Sequence, residues 1–168
     1  MNSGFFMPAT LLVLAFLSSG STGSASQEVL DRIVSRFNGQ IVTISDLRQC
    51  RTLKLLTVSA ESDEAYQREL ENRLLILQEI SRAGTGDPDA QAIAARRREW
   101  ESSLGGGPAL ADRLAKAGMS SEALDAWLAN DVRIQIYLDE RFRGTGSDQR
   151  AQALAHWISA LRQRAGLR

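Results

Sequence analysis

The strongest restriction on the fold comes from Asn38-Gly39, set between two runs rich in β-branched and aromatic residues. Asn-Gly supplies the two positive φ angles of a type I′ turn, so residues 29–47 read as a hairpin running into a helix. With Phe37 facing Gln40 across the turn, Ser35 faces Val42 and Ile33 faces Ile44. That register places Ile33, Phe37, Val42 and Ile44 on one face of the sheet. A two-stranded hairpin is marginal in water on its own, so this face requires a cover of helices.

Helical periodicity accounts for the rest of the chain. Ser45 is the expected N-cap of the first helix, with Asp46 in its first turn and Leu47, Cys50 and Leu53 at helical spacing, fading near Ser59. The second helix is expected over residues 63–83, with Tyr66, Leu70, Leu74, Leu77 and Ile80 along one stripe and Gly84 as terminator. Asp87 and Pro88 suit the N-cap and first position of a third helix, whose inner side carries Ile93, Trp100 and Leu104. Gly105-Gly-Gly-Pro108 reads as a loop, followed by a short helix with Leu110 and Leu114 that closes at Gly118. Ser120 then caps a long helix carrying Leu124, Trp127, Leu128, Val132, Ile136, Leu138 and Phe142, ending at Gly144. Ser147 is the expected cap of a last helix, with Leu154, Trp157, Ile158 and Leu161 inward. The fold class is therefore mainly α, with about six helices around a small N-terminal β-hairpin. Trp100, Trp127 and Trp157 all fall at positions suited to packing.

The leader holds an apolar run over residues 5–17, followed by small uncharged residues to Ser26. This run is shorter than the roughly 20 residues that span a bilayer. Gly23 and Ala25 suit signal-peptidase cleavage after Ala25, so residues 1–25 read as a secretory signal peptide, with an uncleaved anchor as the alternative, although no Lys or Arg precedes Arg32. Residues 26–168 are then one domain without stable membrane insertion after cleavage. The chain carries 20 basic and 20 acidic residues, a balance that gives no electrostatic case for nucleic acid or an anionic membrane. Cys50 is the only cysteine and lies on an apolar helix side, which suits a buried, inert thiol.

Little catalytic chemistry can be assembled from this composition. His156 is the sole histidine, so neither a Ser/His/Asp triad nor a histidine-rich metal site is available within one chain, and one cysteine excludes thiolate metal sites. The glycines at 84, 86 and 105–107 neither follow a strand nor end in a Lys-Ser/Thr pair, so they read as turns rather than a phosphate cradle. Arg96-Arg-Arg98 lies beside Glu99 and Glu101 at spacings that favour local pairing on a solvated helix face. Asp139-Glu140 shows no evident partner. No cofactor or metal is expected, and the chain does not read as an enzyme.

Three stretches resemble the N-terminal module of the SurA-type periplasmic chaperones and their parvulin relatives. The first is Leu30-Asp31-Arg32-Ile33-Val34 with Asn38-Gly39 and Ile41-Val-Thr-Ile-Ser-Asp46. The second is Leu70-Glu-Asn-Arg-Leu-Leu-Ile-Leu-Gln-Glu79. The third covers Leu114 to Gly118, Ser120, Leu124 and Val132-Arg-Ile-Gln-Ile-Tyr137 to Arg141-Phe142. The likeness implies a hairpin-and-helix module over residues 26–147, with residues 148–168 as a returning C-terminal helix that completes the core. In that family, parvulin-type prolyl-isomerase domains stand between these two parts, whereas here only Gly144-Thr-Gly-Ser147 separates Arg143 from Asp148. Whether residues 166–168 add a third strand is left open by the sequence.

The resemblance implies a periplasmic protein that binds unfolded or outer-membrane-bound polypeptides without isomerase activity. The alternative is a structural or assembly subunit of the cell envelope, with a fixed partner or a second copy of itself. Helices around a hairpin can leave an apolar groove for an extended client. Candidate groove residues are Phe37, Leu56, Tyr66, Trp100, Leu104, Tyr137 and Phe142, each also of a type that fills cores.

Overall fold

Both turn residues of the hairpin adopt positive φ, Asn38 at 45° and Gly39 at 78°, as a type I′ turn demands. The computed structural model describes residues 31–104 and 109–167; the expected signal peptide over residues 1–25 and the loop expected over Gly105–Pro108 lie outside them. Strand β1 (Ile33–Phe37) pairs antiparallel with β2 (Gln40–Thr43). Six helices follow: α1 (Ile44–Thr52), α2 (Asp63–Ala83), α3 (Ala90–Ser103), α4 (Ala109–Ala117), α5 (Ser121–Arg141) and α6 (Ser147–Arg164). The described residues are thus mainly helical with one small hairpin.

The register near the turn is as expected, with Phe37 opposite Gln40 and Ser35 opposite Val42. It slips further out. An irregularity between Ile33 and Ser35 places Ile33 opposite Thr43 rather than Ile44. A bulge inserts one residue and reverses the facing of what precedes it. Val34 therefore packs against the core, while Ile33 is 46% exposed.

The start of α1 also differs from expectation. Thr43, not Ser45, is the N-cap: its hydroxyl accepts the Asp46 N–H, and the Asp46 carboxylate accepts the Thr43 N–H in return. This reciprocal arrangement satisfies two otherwise orphaned donors. Ser45 contributes its own N–H, donated to Asp31 Oδ1 at 3.1 Å. The helix stops at Thr52 instead of fading near Ser59. Lys54 turns left-handed at φ 48°, and the Leu55 N–H reaches back to the Cys50 carbonyl at 2.9 Å. That closure is a Schellman motif. It drops Leu53 and Leu55 into the interior, which a continued helix could not do for both.

Helix α2 begins, runs and ends as the sequence indicates, capped by the Ser62 hydroxyl and closed by Gly84 at φ 68°. Its buried face is wider than one apolar stripe, since Glu71, Asn72, Arg73, Leu75 and Ile76 are buried as well. Asp89 rather than Asp87 caps α3, its carboxylate accepting the Gln91 N–H at 3.2 Å. Two aspartates two residues apart have the same capping chemistry, which is why residue type did not separate them. Ser120 caps α5 as expected, and α5 ends at Arg141 with Gly144 left-handed beyond it. Gly146, not Ser147, occupies the N-cap of α6; its carbonyl accepts the Arg150 N–H at 2.8 Å. The end of α6 is another Schellman closure through Gly166 at φ 71°, with the Leu167 N–H on the Arg162 carbonyl. Gly166 and Leu167 are consequently committed to this cap, and the sheet holds two strands among the described residues.

Burial divides into two clusters. The first joins Phe37 and Val42 of the hairpin to Leu47 and Cys50 of α1, Tyr66 to Ile80 of α2, and Trp157 and Leu161 of α6. The second gathers Leu53, Leu55, Trp100, Ala117, Leu124 and Leu128, with Leu110 and Leu114 of α4 against it. Helix α5 serves both, and Trp127 packs against each. Trp100 ties the second cluster to α1 by donating its indole N–H to the Leu53 carbonyl at 3.0 Å, satisfying a group that helix termination had freed.

Candidate polypeptide-binding groove

Along the seam between the two clusters runs a groove of about 850 Å³, within the size range of ligand pockets. One wall is the α1–α2 connection, with Leu55, Leu56 and Thr57; the opposite walls are Ala92 and Ala95 of α3 and Val132, Ile134 and Gln135 of α5. The small side chains of α3 leave the space that larger residues would fill. These walls carry Leu55, Leu56, Ala92, Ala95, Val132 and Ile134 as apolar groups, with Thr57 and Gln135 as neutral hydrogen-bonding groups; the rest of the lining is charged, Arg73, Arg96, Glu99 and Asp131.

The floor is ionic. Arg73 of α2 and Arg96 of α3 both reach Asp131 of α5. Arg73 Nη1 contacts one carboxylate oxygen, and Arg96 donates to the other through Nε at 3.1 Å and Nη2 at 2.9 Å. Arg73 also gives Nη2 to the Trp127 carbonyl at 2.8 Å and lies with its guanidinium carbon 3.9 Å from the centre of the Trp127 ring, a cation–π stack. Burial pulls Arg73 below the usual guanidinium range, against the opposing pull of Asp131. Arg96 is burdened by burial too, yet Asp131 and Glu99 hold it above that range. The indole nitrogen of Trp127 is buried with no acceptor among the described residues, and the ring is held by its stack on Arg73 and by packing against both clusters.

Charge on the exposed side of α3 is paired as its spacing suggests, Arg96 with Glu99 at 3.1 Å and Arg97 with Glu101 at 2.9 Å. The arginines do more than that local reading allowed. Arg97 also bridges to Asp125 and Arg96 to Asp131, so this face of α3 is bound to α5 rather than merely solvated. Asp139 and Glu140 likewise have partners, Arg150 and Arg143 respectively.

The seven candidate groove residues do not form one surface. Phe37, Tyr66 and Trp100 are 4%, 2% and 3% exposed and act as core, because each projects from the inward face of its element. Leu104 belongs to the edge of the second cluster. Tyr137 and Phe142 pack around Trp157, their ring centres 6.0 and 6.1 Å from it. Arg141 lies over the same indole at 4.5 Å. Only Leu56 lines the groove. Arg73 and Asp131 were missed altogether, though a signal existed: each is a charge interrupting an apolar helix face, and the two are of opposite sign.

Cys50 is a buried free thiol, pushed up to about 12 by burial. His156 is exposed on α6. Among the described residues, no group of three or more His, Cys, Asp or Glu side chains is placed to hold a metal ion. No described helix is long and apolar enough to cross a membrane. Comparison with protein-family models, curated proteins and solved structures returns no match for the chain.

Proposed function

We propose that this protein is a periplasmic chaperone-like module that holds unfolded or outer-membrane-bound polypeptides in the α1–α2/α3/α5 groove, without isomerase activity. The observation that carries this reading is the groove itself: an open trough with apolar walls drawn from three elements over an ion-paired floor. Apolar walls capture side chains by non-directional burial, while Thr57 and Gln135 can serve a client's backbone amides. The neutral overall charge suits a binder that takes clients by apolar contact rather than by long-range attraction. The resemblance to SurA-type chaperones and the signal-like leader support the compartment and the client class. Purified protein at near-stoichiometric amounts should slow the aggregation of a denatured outer-membrane protein, and Leu56→Glu should weaken that protection. Undiminished aggregation at every ratio would sink the reading.

A structural or assembly subunit is the second reading. The side chains it would use are Ile33, Ile41 and Ile136, the large apolar residues that are 46–48% exposed among the described residues. Its consequence is a stable dimer or a single discrete envelope partner, readable by light-scattering mass and crosslinking.

A further inference from the structure

We infer that the groove receives the carboxyl-terminal end of an apolar polypeptide, with the terminal carboxylate docking on Arg96. This rests on the groove reading above and adds the orientation and chemistry of the client. The charges of the floor do not balance at depth. Two guanidiniums, with side chains 9% and 34% exposed, share one carboxylate, Asp131 at 13%. Among the described residues the remaining positive charge is met by Glu99, which also lines the groove; its side chain is 74% exposed and touches Arg96 Nη1 at 3.1 Å. An exposed carboxylate one turn away on the same helix offsets a half-buried charge weakly. A ligand carboxylate entering the groove would displace Glu99 from Nη1, and the apolar chain behind it would shield the contact from water, where a charge-assisted hydrogen bond is stronger. Leu55, Leu56, Val132 and Ile134 take the apolar side chains that precede it, and Gln135 and Thr57 can meet its amides.

Two peptides of one short, leucine- and alanine-rich, N-acetylated sequence test this, one ending in a free carboxylate and the other amidated. Each is titrated into the full chain at low salt and followed by fluorescence anisotropy. The free acid should bind about tenfold more tightly, as one charge-assisted contact supplies, and the ratio should shrink as salt is raised. Glu99→Gln should enlarge the ratio, and Arg96→Gln should bring it to about one, with circular dichroism confirming that each variant is folded. Equal binding of the two peptides would overturn the carboxylate assignment and leave the apolar groove standing, whereas binding of neither would remove both. A ratio that survives Arg96→Gln would also overturn it. A medium-chain fatty acid that binds more tightly than the free-acid peptide would overturn the assignment to a polypeptide.

Discussion

Lys54 holds a left-handed backbone at the position where a helix most often ends in glycine. Left-handed geometry costs a non-glycine residue roughly 1–2 kcal/mol, while glycine surrenders roughly 0.5–1 kcal/mol of unfolded-state entropy. Lys54 is exposed, and its side chain makes no hydrogen bond or ion pair among the described residues. Lys54→Gly should therefore raise stability by up to about 1 kcal/mol in urea unfolding, and a loss would show that the lysine itself holds the turn. The same residue explains why the end of α1 was not legible: with no glycine present, apolar spacing continued through Leu53 and Leu56 and concealed the stop. Cys50 was legible, because one cysteine on an apolar helix side has few alternatives to burial. Its folded-state value near 12 lies above the ordinary thiol value of 9.0. A raised acid stabilises the fold fully below about pH 9, and that contribution is lost as pH climbs from 9 towards 12, because the unfolded chain gives up its proton first. Cys50→Ala should flatten this part of the stability-against-pH curve relative to the parent, whatever its cost at neutral pH. Parallel curves for parent and variant would contradict the burial argument.

At the level of elements, the sequence showed what local chemistry controls and hid what distant packing controls. The Asn38-Gly39 turn, the Gly84 stop of α2 and the Ser120 cap involve groups within a few residues of each other, and they were readable. The bulge at Val34 and the ionic floor of the groove were not, since the first is decided by which residue the core accepts and the second joins side chains 58 positions apart. The seat of α6 on α2 is of this hidden kind. Arg162 Nη1 meets Glu71 Oε2 at 2.9 Å and Asn72 Oδ1 at 3.1 Å, and Gln67 donates to the other Glu71 oxygen. Glu71 is 2% exposed and Arg162 8%. Removing one partner strands a buried charge, at a cost of about 3–5 kcal/mol, whereas replacing both by apolar groups of similar volume is often neutral. Arg162→Ala should accordingly be severe, and Glu71→Leu with Arg162→Met much milder than the sum of its single changes. Additive losses in that cycle, read from chemical denaturation, would mean that the pair is not coupled.

The whole molecule is organised by α5, which no local signal singled out beyond its breadth of apolar residues. Leu124 and Leu128 are fully buried in the second cluster, while Ile134, Tyr137 and Leu138 pack on the first. The groove follows from this arrangement: two cores meeting along one helix leave a trough at their seam, and Arg73, Asp131 and Arg96 cross it to bind α2, α5 and α3 together. The second cluster has few buried side chains of its own, too few to fold without the helix it shares. Leu128→Ala should cost about 2–5 kcal/mol through the cavity it leaves. Because α5 is common to both cores, that loss should be felt across the seam. Thiol labelling of Cys50, which lies in the first core, should accelerate together with hydrogen exchange in α3, which lies in the second. Faster exchange in α3 with unchanged Cys50 labelling would show two independent cores, and a groove whose walls can part without either core unfolding.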